Sequence, residues 1–381
     1  MALYIGLSIF YILVMLLEWM IGKRLNSKLS IIILLLPLFI LAGFRATTVG
    51  NDTLNYYTTF LSVSQENLFS STVSRLEIGY IFLMRIIGNL GLSYLGFQII
   101  TTAFIFLSIG RFIYKYSLNP ALSVFVFVTS RMFFGTMNIS RQYIAIAILL
   151  YSIDFLKKRE FTKFFIIVFL ASLFHSSALV FLILYPIALV KLNKKRIILF
   201  IGVGTILSII FDNVIQLVIN LTNKYQGYLD SQYFNFEGNT AIYFQLAIYF
   251  IFFIVGSYTG YWKSDYNNIK EINSNTINKR IRKSNNKGVT ITNEMIWYVA
   301  ALLTFIIGIV GLNSTIMDRI AMYFSVFYLA YIPSLITKIR SKHIRVIIIN
   351  GIILGLFLSF CIVMIYRPNW NTVFPYVWYQ D

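Results

Sequence analysis

Residues 29–44, LSIIILLLPLFILAGF, run sixteen positions without a charged side chain, and similar runs recur to the end of the chain, each closed by a polar or basic cluster. Apolar stretches of this length predict helices in a lipid solvent rather than the core of a soluble domain. The pattern predicts spans at 2–21, 29–44, 95–113, 120–136, 141–156, 197–219, 241–262, 295–312, 319–337 and 346–366. Residues 2–21 carry Glu18 near their end and lack the short apolar core and small-residue cleavage site of a signal peptide, so they read as a full first span.

Two segments depart from simple crossing. Segment 76–92 holds Arg85 at its middle and Gly79, Gly88 and Gly91 along it. Counting it as a span would put the cluster KKREFTK (157–163) outside, against the positive-inside bias, so it is predicted to be re-entrant or interfacial. Segment 164–190 starts and ends beside basic clusters and must leave the cytoplasmic face and return. Its helical length is about 40 Å, whereas two crossings of the hydrocarbon need roughly 40 residues. Two half-helices meeting at FHSSA (174–178), around His175, fit that length; one long tilted helix is the alternative. Broken helices at this depth need protein or a water-filled cavity around them.

The expected fold is therefore all-α: a polytopic membrane helix bundle of about 11–13 membrane segments, some broken or re-entrant, forming one integral domain over 1–381. Loops 45–75, 220–240 and 367–381 are expected to be extracytoplasmic, and the Asn/Lys-rich stretch 263–293 a disordered cytoplasmic loop. No internal repeat is evident.

Composition supports the lipid reading. The chain has 381 residues, 58% hydrophobic and only 12% charged, with mean hydropathy +0.76. Its richness in Ile, Asn and Lys suits a low-GC bacterial genome. The single cysteine, Cys361, excludes an intrachain disulfide, and two distant histidines, His175 and His343, offer no metal site; no cofactor is expected.

A net charge of +18 would suggest nucleic acid, but its distribution excludes that. Of 32 basic residues, 24 fall in segments predicted to be cytoplasmic, including GKRLNSK (22–28), KLNKKR (191–196) and KIRSKHIR (338–345). The other eight are Arg45, Arg75, Arg85, Arg131, Arg141, Lys224, Arg319 and Arg367, seven of them arginine. Arginine beside hydrocarbon is costly and marks function, and its planar fork suits phosphate or carboxylate. Partners accompany these arginines: Arg75 with Glu77 in RLEIGY, Asn138 with Arg141 and Gln142 in NISRQ, and Asp318 with Arg319 and Tyr323 in DRIAMYF. Some of these pairs would serve only as helix caps or ion pairs. As a set they predict an outward-facing cationic cavity, with aromatic surroundings, for a polyprenyl-diphosphate saccharide. No P-loop or nucleotide-binding fold accompanies them.

The motifs VGNDTLNYY, RLEIGY, NISRQYIAIA, LFHSSAL and NWNTVFPY, in that order, resemble the EpsG-like branch of the Wzy-type oligosaccharide repeat-unit polymerases, most densely in residues 40–190. Asn51 departs from the usual G-T-D of that branch and leaves Asp52 in place. The resemblance implies a GT-C-like, metal-independent glycosyltransferase in the bacterial cytoplasmic membrane. It would join undecaprenyl-diphosphate-linked repeat units on the outer face, for exopolysaccharide, capsule or O-antigen. Arg141 and Arg319 would then neutralise the leaving diphosphate, with Arg45, Tyr56, Arg75, Glu77, Arg131, Asn138, Gln142, Asp318 and Tyr323 as further substrate contacts. Asp52 and His175 are both candidates for the base. Expected partners are the lipid-linked saccharides, membrane lipids, a flippase and a chain-length regulator. A glycan ligase, a flippase for the same lipid, or an acyltransferase acting on surface glycans are the competing readings.

Overall fold

The computed structural model describes residues 1–70, 76–211, 213, 216–217, 240–263, 291–313, 316–367, 369 and 372–380. Expectations for Arg75, for the aromatic residues of 220–239 and for 264–290 lie outside the described residues. Among the described residues the structure is helical throughout, and the one extended pairing is an isolated antiparallel bridge between Arg45 and Trp378. The chain divides into two compact units.

The first unit comprises Met1–Phe155, Glu160–Leu179 and Ile332–Asp381. Its helices are α1 (Ala2–Ile21), α2 (Lys28–Gly43), α3 (Thr53–Val63), α4 (Ile78–Asn89), α5 (Tyr94–Tyr116), α6 (Pro120–Thr129), α7 (Met132–Asn138), most of α8 (Ser140–Lys157) and α9 (Phe161–Ser172). The sequence starts several of them with side-chain caps. Ser27 accepts from the Ser30 N–H, and Asn119, followed by Pro120, accepts from the Leu122 N–H. Helix α2 packs on α5 and α6, α1 on α6, and α3 on α4 and α5. Val124–Val128 of α6 are completely buried, so this short helix is the unit's centre.

Segment 76–92 folds as α4, whose 12 residues reach about 18 Å against a hydrocarbon core of about 30 Å. The break expected at His175 is present. Helix α9 ends at Ser172, and after a gap a 3-10 helix, Ser176–Ile183, carries the chain on. Two other spans are less regular than expected. Segment 120–136 is bent by 58° between α6 and α7, where Arg131 takes a left-handed conformation, φ 65°. Neither glycine nor proline marks that position, so composition hides it.

The second unit comprises Leu156–Arg159 and Val180–Tyr331. It holds α10 (Leu184–Leu189), α11 (Lys194–Ile209), α12 (Thr240–Tyr258), α13 (Asn293–Val310), α14 (Ile316–Ser325) and the start of α15 (Tyr328–Thr337). Helix α13 is its axis, packed against α10, α11, α12 and α14. The predicted straight span 319–337 is instead α14 and α15, bent by 52°. The last helix, α16 (Lys342–Tyr366), returns to the first unit and packs on α6.

Among the described residues four helices are long and apolar enough to cross a membrane, or six if each bent pair is one span, with five shorter apolar helices besides. Only 22% of α1 and of α16 is buried, against 61% of α5 and 67% of α13. Apolar side chains exposed over so much of α1 and α16 suit lipid contact, while α5 and α13 carry the interior. This is a multi-pass membrane protein.

Candidate functional site

Glu77 sits at the N-cap of α4 in extended conformation and leaves its own helix uncapped by its side chain. Its carboxylate reaches to two other elements instead. Oε2 pairs with Arg141 Nη1, from the first turn of α8. Oε1 lies 3.0 Å from His175 Nδ1 and accepts from the Ser176 N–H at 3.2 Å. Gly79 makes this meeting feasible: its N–H donates to the Leu173 carbonyl at 2.8 Å, and a Cβ there would lie 2.7 Å from the same oxygen. The start of α4 is thus fixed to the break after α9.

Arg141 extends the cluster the other way. Its Nε donates to the Tyr56 hydroxyl at 3.4 Å, and its guanidinium carbon lies 5.6 Å from that ring. The Tyr56 hydroxyl in turn donates to Asp52 Oδ2 at 3.3 Å, one turn earlier on α3. Tyr80, packed 5.3 Å from Tyr56, is linked to Ser140 at 3.3 Å and backs the cluster. Asp52, Tyr56, Arg141, Glu77 and His175 therefore form one connected chain of polar groups within the first unit.

The ends of that chain remain accessible. The side chains of Arg141, Glu77 and His175 are 18%, 17% and 21% exposed. Among the described residues, Arg141 Nη2, His175 Nε2 and Asp52 Oδ1 make no hydrogen bond to protein. Burial pushes the Glu77 carboxyl up, but the hydrogen bond with His175 and the Arg141 charge outweigh it and hold it at about 2. Burial and the nearby Asp52 push the Tyr56 phenol up to about 12, against the pull of Arg141. Glu77 is an acceptor and Tyr56 a donor at neutral pH.

The other residues nominated by the sequence lie outside this connected chain. Arg45 is 2% exposed; its guanidinium turns inward to the Ala42 and Met137 carbonyls, while its Nε has no hydrogen-bond partner among the described residues. Asn138 accepts from the Asn51 N–H at 2.7 Å and donates to the Phe134 carbonyl at 2.9 Å, holding the loop before Asp52. Gln142 is buried beside Arg141, and Arg131, half-buried, begins α7. Asp318, Arg319 and Tyr323 lie on α14 of the second unit, with Tyr323 buried. Within the first unit Arg141 is charge-balanced: Glu77 pairs with it and Asp52 is linked to it through Tyr56.

The C-terminal segment contributes contacts that the sequence motif alone did not disclose. The Ala46 N–H donates to the Val377 carbonyl and the Gly50 N–H to the Thr372 carbonyl, both at 2.9 Å. The Tyr379 N–H donates to the Phe44 carbonyl at 2.8 Å, and the Thr372 hydroxyl donates to the Asn51 side chain. Tyr4 and Tyr376 add hydroxyl bonds to the Val373 and Leu41 carbonyls. These bonds between residues more than 300 positions apart strap the loop that delivers Asp52. Ser140, Ser176 and Tyr80 were also unmarked, because their roles depend on which helix ends meet.

Among the described residues no three His, Cys, Asp or Glu side chains converge as a metal-ligand set. The EpsG family model matches residues 28–378. No curated protein and no solved structure gives a match.

Proposed function

The chain belongs to the EpsG family and is a polysaccharide-polymerase-like membrane protein, and on that premise we propose that it joins oligosaccharide repeat units carried on undecaprenyl diphosphate. One lipid diphosphate would carry the growing chain as donor and another the repeat unit as acceptor. The acceptor hydroxyl attacks the donor's anomeric carbon and a new C–O bond forms. The bond from that carbon to the diphosphate breaks, and the electron pair leaves on the lipid diphosphate. The hydroxyl proton passes to a base.

The observation that carries this reading is the joining of Arg141, His175 and Asp52 through Glu77 and Tyr56 at the ends of broken and short helices. Arg141 is held on two sides, leaving Nη2 to meet charge growing on the departing diphosphate. A donor fixed before the reaction needs no reorganisation as that charge appears. His175 Nε2 and Asp52 Oδ1 are the accessible proton acceptors. Arg319, on α14, is the further cation that the sequence nominates. Depth supports an outer-leaflet site: Arg141 lies about 21 Å along α8 from Phe155, beside the basic residues expected to be cytoplasmic. A flippase would supply the substrates and a chain-length regulator would govern the product.

The decisive experiment reconstitutes the purified protein in bilayers with a lipid-diphosphate repeat unit and resolves the glycan products by size. A ladder of repeat units, undiminished by EDTA, is expected. One transfer to a foreign acceptor would make the protein a ligase, and lipid translocation without glycan growth would make it a flippase. Loss of the ladder in EDTA with recovery on adding a divalent ion would overturn the metal-independent mechanism.

A further inference from the structure

Among the described residues three groups reach the Glu77 carboxylate. Arg141 Nη1 occupies Oε2, and the Ser176 backbone N–H shares Oε1 with His175 Nδ1. An ionised carboxylate has acceptor capacity only, so a hydrogen bond from the neutral imidazole requires the proton on Nδ1. That leaves the lone pair on Nε2, which has no hydrogen bond to protein among the described residues. The ring is also fixed from below, since its own residue lies at the break that Gly79 and Leu173 hold together.

We propose that Glu77 is a positioning residue that sets the tautomer and orientation of His175, making Nε2 the proton acceptor of the glycosyl transfer. This rests on the polymerase reading above. Asp52 then acts at one remove, holding Tyr56, whose hydroxyl receives Arg141 Nε. The groups facing His175 come from two further elements: Glu77 at the start of α4 and, through it, Arg141 on α8. In the transfer, Nε2 takes the proton from the acceptor hydroxyl as the anomeric C–O bond to diphosphate breaks. The imidazolium formed is balanced by Glu77, as an orienting carboxylate balances the imidazolium in other nucleophile–histidine–acid arrangements.

The chain has only two histidines, so ¹⁵N-histidine NMR of the full protein in nanodiscs at pH 8.5 can be assigned with the His343→Gln variant. His175 is expected to show a protonated Nδ1 and an unprotonated Nε2, and Glu77→Gln to abolish that preference while Glu77→Asp retains it. In the lipid-linked assay Glu77→Gln should lower kcat by about a hundredfold or more, KM changing far less, with partial recovery in Glu77→Asp. A native protein with Nε2 protonated, or a Glu77→Gln protein with unchanged tautomer and kcat, overturns the proposal while the ladder stands. No ladder from the native protein overturns the polymerase reading, and the catalytic role with it.

Discussion

Arg141 has to serve two masters, a carboxylate and a substrate, and its geometry separates them. Nη1 is committed to Glu77 and Nε to Tyr56, which leaves Nη2 as the uncommitted donor among the described residues. A lysine ammonium has no planar fork and could not hold both partners and a diphosphate at once. Arg141→Lys should therefore lower polymerisation by two to three decades, the effect of losing about 3–4 kcal/mol of preorganised charge stabilisation. Near-native rates in a folded Arg141→Lys protein would remove Arg141 from the leaving-group role. Glu77 makes a second prediction at this scale. Despite burial, its carboxyl is held at about 2 in the folded protein by the His175 hydrogen bond and the Arg141 charge, below its ordinary 4.5. A folded pKa depressed in this way stabilises the protein fully above the unfolded value and loses that contribution as pH falls toward the folded value. The melting-temperature difference between native protein and Glu77→Gln should be present at neutral pH and shrink once pH drops below about 4.5, as the unfolded carboxylate protonates first. A difference undiminished down to pH 2.5 would mean that Glu77 is not held ionised by its partners.

Elements decide whether these residues meet at all, and here a glycine matters more than a charge. Gly79 leaves no room for a Cβ against the Leu173 carbonyl. Gly79→Ala should push α4 from the break after α9, separate Glu77 from His175 and destabilise the fold by about 1–3 kcal/mol. The expected readout is a fall in kcat larger than the fall in folded fraction; equal falls would indicate a purely structural glycine. The strap from the C-terminus is a parallel case. Deleting 372–381 removes the partners of Ala46, Gly50 and Asn51 and should reduce activity by freeing the Asp52 loop, detectable as faster amide exchange over 44–53. Unchanged exchange there would rule the strap out. These two elements also show what a sequence discloses. Span positions, the short α4 and the break at His175 follow from apolar length and crossing parity, because both are one-dimensional quantities. The bend at Arg131 does not, since a left-handed arginine carries no compositional sign. Glu77, Arg141, Asp52 and His175 were legible as polar groups in apolar surroundings. That Glu77 joins Arg141 to His175 was not, because Glu77 lies 64 positions from the one and 98 from the other.

At the scale of the whole molecule, the reading depends on how many times the chain crosses before Arg141. Basic residues cluster at 22–28 and 157–163, and by the positive-inside bias both are expected on the cytoplasmic face. Of the helices between them, α5 and the bent pair α6–α7 are long and apolar enough to cross; with α2 and α8, which the sequence predicts as spans, the number is even and the chain returns to the side it left. Helix α4 must not cross, and its 12 residues agree. Replacing the half-buried Cys361 by serine gives a background without thiols. Single cysteines at the exposed positions Asn26, Ser70 and Lys158 can then be treated with a membrane-impermeant maleimide in intact cells. Ser70→Cys should label directly, and Asn26→Cys and Lys158→Cys only after permeabilisation. Direct labelling at Lys158→Cys alone would mean that α4 crosses. Arg141 would then open toward the cytoplasm while Asp52 stayed outside, which the hydrogen bonds through Tyr56 forbid. Direct labelling at both Asn26→Cys and Lys158→Cys, with Ser70→Cys protected, would invert the protein. The connected site would survive that inversion, but it would face the cytoplasm, and a lipid-linked donor presented on the outer leaflet could not reach it.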